Sequence, residues 1–81
     1  MNKVGELIKA FLMHKTSGGM LEFLKGILTP REIEELSTRL QIVKMIKSGL
    51  PHQEIARRMG VGVATVTRGS REIKLGRFKK I

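Results

Sequence analysis

The stretch PHQEIARRMGVGVATVTRGSREIKL, residues 51–75, decides the fold. It reads as two short helices joined by a tight glycine turn. The first begins near His52 after Pro51, and the second begins near Val63 and runs to about Leu75. Four positions carry the reading. Ala56 is small where two helices must cross closely, and Gly60, four residues on, can take the left-handed backbone of a tight turn. Val61 follows as a plug, and Val66, ten residues after Ala56, falls on the inner face of the second helix. Ile55 and Met59 complete a small core. A small residue, a glycine and two aliphatics at these offsets describe a helix-turn-helix, against the plainer alternative of a helical hairpin.

The outer face of the second helix follows from that assignment. Gly62, Val63 and Ala64 stand at its start, the end that enters a major groove. Ala64, Thr67, Arg71 and Lys74 share a face at three-or-four spacing, and Thr65 joins this DNA-facing set. Thr67 can bond a base edge or a phosphate, and Ala64 or Val63 can touch a thymine methyl. His52 and Gln53 open the first helix where backbone amides and the helix dipole favour a phosphate. Arg57, Arg58, Lys74 and the tail residues Arg77, Lys79 and Lys80 suit phosphates, which position a protein without specifying sequence.

The charge distribution agrees. The 81 residues carry a net charge of +9, with six basic and five acidic residues up to Val43 and ten basic and two acidic residues after it. The C-terminal half is a surface for a polyanion. Tryptophan and tyrosine are absent, and Phe11, Phe23 and Phe78 are the only aromatics, which argues against single-strand recognition by base stacking. Duplex DNA is the expected partner.

Upstream, Val4, Leu7, Ile8, Phe11 and Leu12 mark a helix over about Lys3 to His14. Ser17-Gly18-Gly19 reads as its break, with a second helix from Met20 to Ile27. Thr29-Pro30-Arg31-Glu32 starts a third helix with a capping threonine, a proline at the first helical position and a glutamate that completes a capping box. That helix runs to about Lys47, where Gly49 stops it and Pro51 prevents its continuation. No strand pattern is present, so the expectation is an all-α chain of five helices. Residues 1–50 form an N-terminal helical core, 51–75 a DNA-reading head and 76–81 a basic tail. Six apolar side chains between Met20 and Leu28 are more than one chain of this size can cover. A second copy of the chain is the expected cover.

Gly69 stands one turn after Val66, where a bulky aliphatic would be expected on the inner face. The vacancy reads either as a pocket or as a close approach of another backbone. Arg68 adjoins it, and Arg39 lies mid-helix between Leu36 and Leu40, where its guanidinium must pair or reach water. One guanidinium can grip a carboxylate bidentately and a second can stack on a flat ring. Two arginines beside a glycine slot therefore suit a small planar carboxylic acid, although Glu32 or Glu35 could instead pair with Arg39.

Three stretches give the chain a resemblance to the Trp repressor family: Leu28-Thr29-Pro30-Arg31-Glu32, Ser37-Thr38-Arg39-Leu40-Gln41-Ile42-Val43, and Gly62-Val63-Ala64-Thr65-Val66-Thr67-Arg68-Gly69-Ser70. The resemblance implies an intertwined homodimer with interlocked N-terminal helices and a palindromic operator read in successive major grooves. It also implies L-tryptophan as corepressor, with Arg39 stacking on the indole, Arg68 on the carboxylate, and Thr29 and Gly69 at further pocket positions. Glu72 stands where tryptophan-responsive members have a serine near the ligand's ammonium. It can accept from that ammonium or occupy the site itself. The alternative is a ligand-independent dimeric DNA binder.

Other classes have little support. His14 and His52 are the only histidines, cysteine is absent, and no acidic pair flanks a histidine, so no enzyme and no metal site is expected. No apolar run is long enough for a membrane span, and Glu6 and Lys9 interrupt the first apolar stretch, so a cytoplasmic protein is expected.

Overall fold

The structure, a computed structural model, describes residues 2–81 and contains five helices and no strand among them. They are α1 (Lys3–Leu12), α2 (Ser17–Ile27), α3 (Pro30–Lys47), α4 (His52–Met59) and α5 (Val63–Lys74). The chain divides into two compact units, one up to Ile33 and one from Glu34 to Ile81.

In the first unit, side chains cap every helix start. Asn2 Oδ1 accepts from the Gly5 N–H at 2.9 Å, and Thr16 Oγ1 accepts from the Gly19 N–H at 3.0 Å. The second of these corrects the expected break: Ser17, Gly18 and Gly19 are the first turn of α2. The first-turn N–H groups have no partner within a helix, so glycines are tolerated there once Thr16 satisfies one of them. At α3 the expected capping box is present and reciprocal. The Glu32 N–H donates to Thr29 Oγ1 at 3.1 Å, and the Thr29 N–H donates to Glu32 Oε1 at 2.8 Å.

An aromatic cluster joins α1 to α2. Phe11 meets Phe23 edge-on at 5.2 Å, and His14 stacks on the same ring at 4.5 Å with its Nδ1 2.7 Å from the Ala10 carbonyl. Beyond this cluster the unit buries little. No residue of α1 or α2 is buried, and Val4, Leu7, Ile8, Leu12, Met13, Leu21 and Ile27 are exposed.

The second unit holds the core. Ile42, Ile55, Ala56 and Val66 pack together, with Ile55 and Val66 wholly buried. Met45, Ile46, Leu50, Met59 and Val61 close around them. Full burial of one such aliphatic contributes about 1.5–3 kcal/mol, so this cluster supplies much of what holds α4 and α5 onto α3. Gly60 has φ +66°, and the Val61 N–H reaches back to the Ala56 carbonyl at 3.1 Å. That bond turns the chain and drops Val61 onto the core, so the four offsets that marked the motif do the expected work.

The segment after α5 also turns back. Gly76 has φ +84°, its N–H donates to the Ile73 carbonyl at 2.9 Å, and the Arg77 N–H donates to the Glu72 carbonyl at 3.2 Å. This paired-bond cap, open to glycine because it has no β-carbon, directs the tail back along α5. Lys47 Nζ on α3 donates to the Phe78 carbonyl and ties the tail down.

Candidate functional site

Two surfaces of the second unit carry candidate chemistry. The first is the outer side of the helix-turn-helix. Gln53, Arg57, Gly62, Val63, Ala64, Thr67, Arg71 and Lys74 are exposed, and His52 is half-buried. Val63, an aliphatic at 45% exposure, stands at the start of α5. Neither α4 nor α5 has a side-chain cap at its start, so first-turn N–H groups are open to an acceptor from outside.

An acid that the charge count did not single out lies among these cations. Glu54 accepts from Arg57 Nη2 at 2.7 Å and from Arg58 Nε at 2.8 Å. The hydrogen bond from Arg57, then that from Arg58, holds the Glu54 carboxyl below its ordinary value, and Glu54 in turn raises Arg57. The two arginines are therefore pre-positioned but partly neutralised. Their positions three and four residues after Glu54 on a helix were the available signal.

The second surface is a half-open cavity of about 180 Å³. From α3 come Arg39, Ile42 and Val43; from α5 come Thr65, Arg68, Gly69 and Glu72; the tail adds Phe78. The vacancy at Gly69 faces side chains. A β-carbon there would stand 3.4 Å from Ile46 Cδ1 and 3.6 Å from Ile42 Cγ2, with no backbone of another element that close. Of the two readings of Gly69, the pocket is the one with a cavity beside it.

Arg39 and Arg68 both line the cavity, and among the described residues no hydrogen bond or ion pair engages either guanidinium. Glu32 is committed to the Thr29 cap. Two unpaired guanidiniums over the buried Ile42 and Val43 combine an anion site with an apolar floor.

Other candidates stand differently. Thr29 belongs to the first unit, is not on the cavity wall, and has its hydroxyl in the capping box. Thr65, grouped by sequence with the DNA-facing residues, lines the cavity. Its spacing to Arg68, Gly69 and Glu72 (i, i+3, i+4 and i+7) already put it on their face. Glu72 is on the wall, but its Oε2 accepts from Arg77 Nε at 3.3 Å. Phe78 was missed, because a six-residue tail has no periodicity to read; Gly76, a helix-ending glycine, was the available signal.

Among the described residues, no helix is long and apolar enough to cross a membrane. A family model described as Trp repressor protein matches residues 2–79. Among curated relatives, a Trp operon repressor homolog of Vibrio vulnificus is 38% identical over 74 residues, covering 90% of this chain and 70% of that protein. The homolog of Photobacterium profundum is 48% identical over 52 residues, covering 63% and 50%. That of Actinobacillus succinogenes is 40% identical over 55 residues, covering 67% and 54%.

Proposed function

The chain belongs to the Trp repressor family, a family of DNA-binding transcriptional repressors, and on that premise we propose how it works. It acts in the cytoplasm, as a regulator and not as a catalyst, in the form of a homodimer on a palindromic operator. Each copy sets α5 into a major groove, with Val63, Ala64, Thr67 and Arg71 toward the bases. Arg57, Lys74 and the amides near His52, Gln53 and Gly62 hold phosphates. The exposure of these side chains on one helix-turn-helix supports the assignment. The exposed aliphatics of α1 and α2, together with Leu36 and Leu40 on α3, support the dimer, since apolar surface on this scale calls for a protein partner.

In this reading the corepressor is L-tryptophan, as the resemblance to the Trp repressor family implies. The observation that carries this reading is the pair of unpaired guanidiniums, Arg39 and Arg68, over an apolar floor that Gly69 keeps open. Arg68 grips the carboxylate, Arg39 lies against the indole, and Glu72 accepts from the ammonium. Calorimetric titration with L-tryptophan tests it. Saturable heat and a raised operator affinity are expected, and neither at millimolar ligand would overturn the corepressor while leaving the repressor.

One observation favours a second reading, a ligand-independent regulator: Glu72 already has Arg77, and Phe78 already forms a wall. Selection of bound duplexes from a random pool, with and without tryptophan, separates the two. Enrichment that needs tryptophan supports the first, and equal enrichment supports the second.

A further inference from the structure

The acid on the cavity wall is already in use. Glu72, its side chain 26% exposed, lines the cavity, and the more exposed Arg77, which is not on the cavity wall, pairs with it. Arg77 is bound to this residue twice. Its Nε donates to Glu72 Oε2 at 3.3 Å, and its backbone N–H donates to the Glu72 carbonyl at 3.2 Å. The left-handed turn at Gly76 presents Arg77 there, and Lys47 fixes the next residue by its carbonyl. The pair is thus built into the way the chain leaves α5. The cavity offers a ligand two free cations, Arg39 and Arg68, and one anion that is half neutralised.

We infer that Arg77 and the ammonium group of an amino-acid ligand compete for Glu72, so that the C-terminal tail sets how far the cavity distinguishes an amino acid from its des-amino counterpart. The inference rests on the reading that the cavity binds a small aromatic acid. A ligand carboxylate on Arg68 leaves an α-ammonium one carbon away, and Glu72 is the acceptor on the same helix face four residues on. A carboxylate has lone pairs for more than one donor, so the ammonium is admitted. Its attraction is reduced because Arg77 already shares the charge. A ligand without the ammonium leaves the Glu72–Arg77 pair intact and meets no such competition. The two ligand classes therefore respond differently to one tail side chain outside the cavity lining.

Calorimetry on the full chain with two probes tests this: L-tryptophan and 3-(indol-3-yl)propanoate, the same molecule without its amino group. The quantity read is the ratio of the two affinities, which cancels any general change in folding. Arg77→Gln is expected to shift the ratio toward tryptophan by about two- to five-fold, the size of an exposed ion pair. Arg77→Lys keeps a cation over Glu72 and is expected to keep the wild-type ratio. An unchanged ratio in Arg77→Gln, or an equal shift in Arg77→Lys, overturns the competition while leaving the ligand site standing. No heat from either probe with the wild-type chain overturns the ligand reading and the competition together.

Discussion

A β-carbon placed on Gly69 would meet Ile46 Cδ1 at 3.4 Å, an ordinary van der Waals contact. The glycine is therefore not needed to avoid a clash in the empty protein. Gly69→Ala is expected to stabilise the chain by up to about 1 kcal/mol, the helix-propensity difference between the two residues. Gly69→Leu adds three further carbons beside Ile42 and Ile46 and is expected to abolish tryptophan binding, with far-UV circular dichroism separating a blocked cavity from a lost fold. Urea unfolding checks the first expectation and calorimetry the second. Tight tryptophan binding by the leucine variant would remove the cavity as the ligand site.

Gly60 behaves differently, because its φ of +66° is a conformation that side chains resist. Gly60→Ala is expected to destabilise by about 1–2 kcal/mol. Gly60→Asn should lose less, since asparagine tolerates this region better. Urea midpoints for the two variants give the comparison. Equal stability of Gly60→Ala and wild type would mean that the turn between α4 and α5 adopts another geometry in solution.

These two glycines illustrate how much could be read ahead of the structure. Gly60 sat among residues whose spacing favoured a helix-turn-helix over a plain helical hairpin, so the turn, Ala56, Val61 and Val66 were all legible. The cavity was legible through Gly69, because a missing aliphatic on an inner face is a local signal. Its outer wall was not, because Phe78 and Arg77 arrive by a turn that periodicity cannot describe. Ser17-Gly18-Gly19 was misread for a related reason. Glycine marks helix starts as well as breaks, and Thr16 decides between them through a single hydrogen bond to the Gly19 N–H.

Thr67 and Arg71, proposed to face DNA, are exposed on α5 and take no part in the buried cluster. Thr67→Ala and Arg71→Ala are expected to weaken operator binding without changing the oligomeric state. Lys74→Ala, which removes a proposed phosphate contact instead, should reduce the slope of log affinity against log salt by about 0.9. Fluorescence anisotropy over a salt series, with sedimentation in parallel, reads both. Loss of the dimer in either variant would place these residues on the wrong face.

Glu54 restrains the charge of Arg57 and Arg58. Glu54→Gln is expected to raise non-specific duplex affinity at low salt and to steepen its salt dependence. The same contact has an acid signature. The Glu54 carboxyl is held below its ordinary value of 4.5 by Arg57 and Arg58. Its stabilising contribution is therefore complete above about pH 4.5 and is lost as pH falls through the lower folded value. The difference in Tm between wild type and Glu54→Gln should be constant at neutral pH and shrink only below that point. A difference that does not change with acid would exclude the ion pairs as its source.

The N-terminal helices give the last prediction. Leu7 and Ile8 lie on the apolar stripe of α1, 40% and 53% exposed, while the aromatic contacts of this unit run through Phe11, His14 and Phe23. A lysine at position 7 or 8 therefore leaves those ring contacts alone and puts a charge where a partner helix would pack. Leu7→Lys and Ile8→Lys are expected to convert a dimer into a monomer of 9.1 kDa in sedimentation equilibrium. Operator affinity should fall with the loss of the second reading head, while the core around Ile42, Ile55 and Val66 keeps α4 and α5 folded. Far-UV circular dichroism separates dissociation from unfolding. A wild-type chain that sediments as a monomer at micromolar concentration would overturn the dimer. Dimers that persist in both lysine variants would move the interface to the Leu36 and Leu40 face of α3.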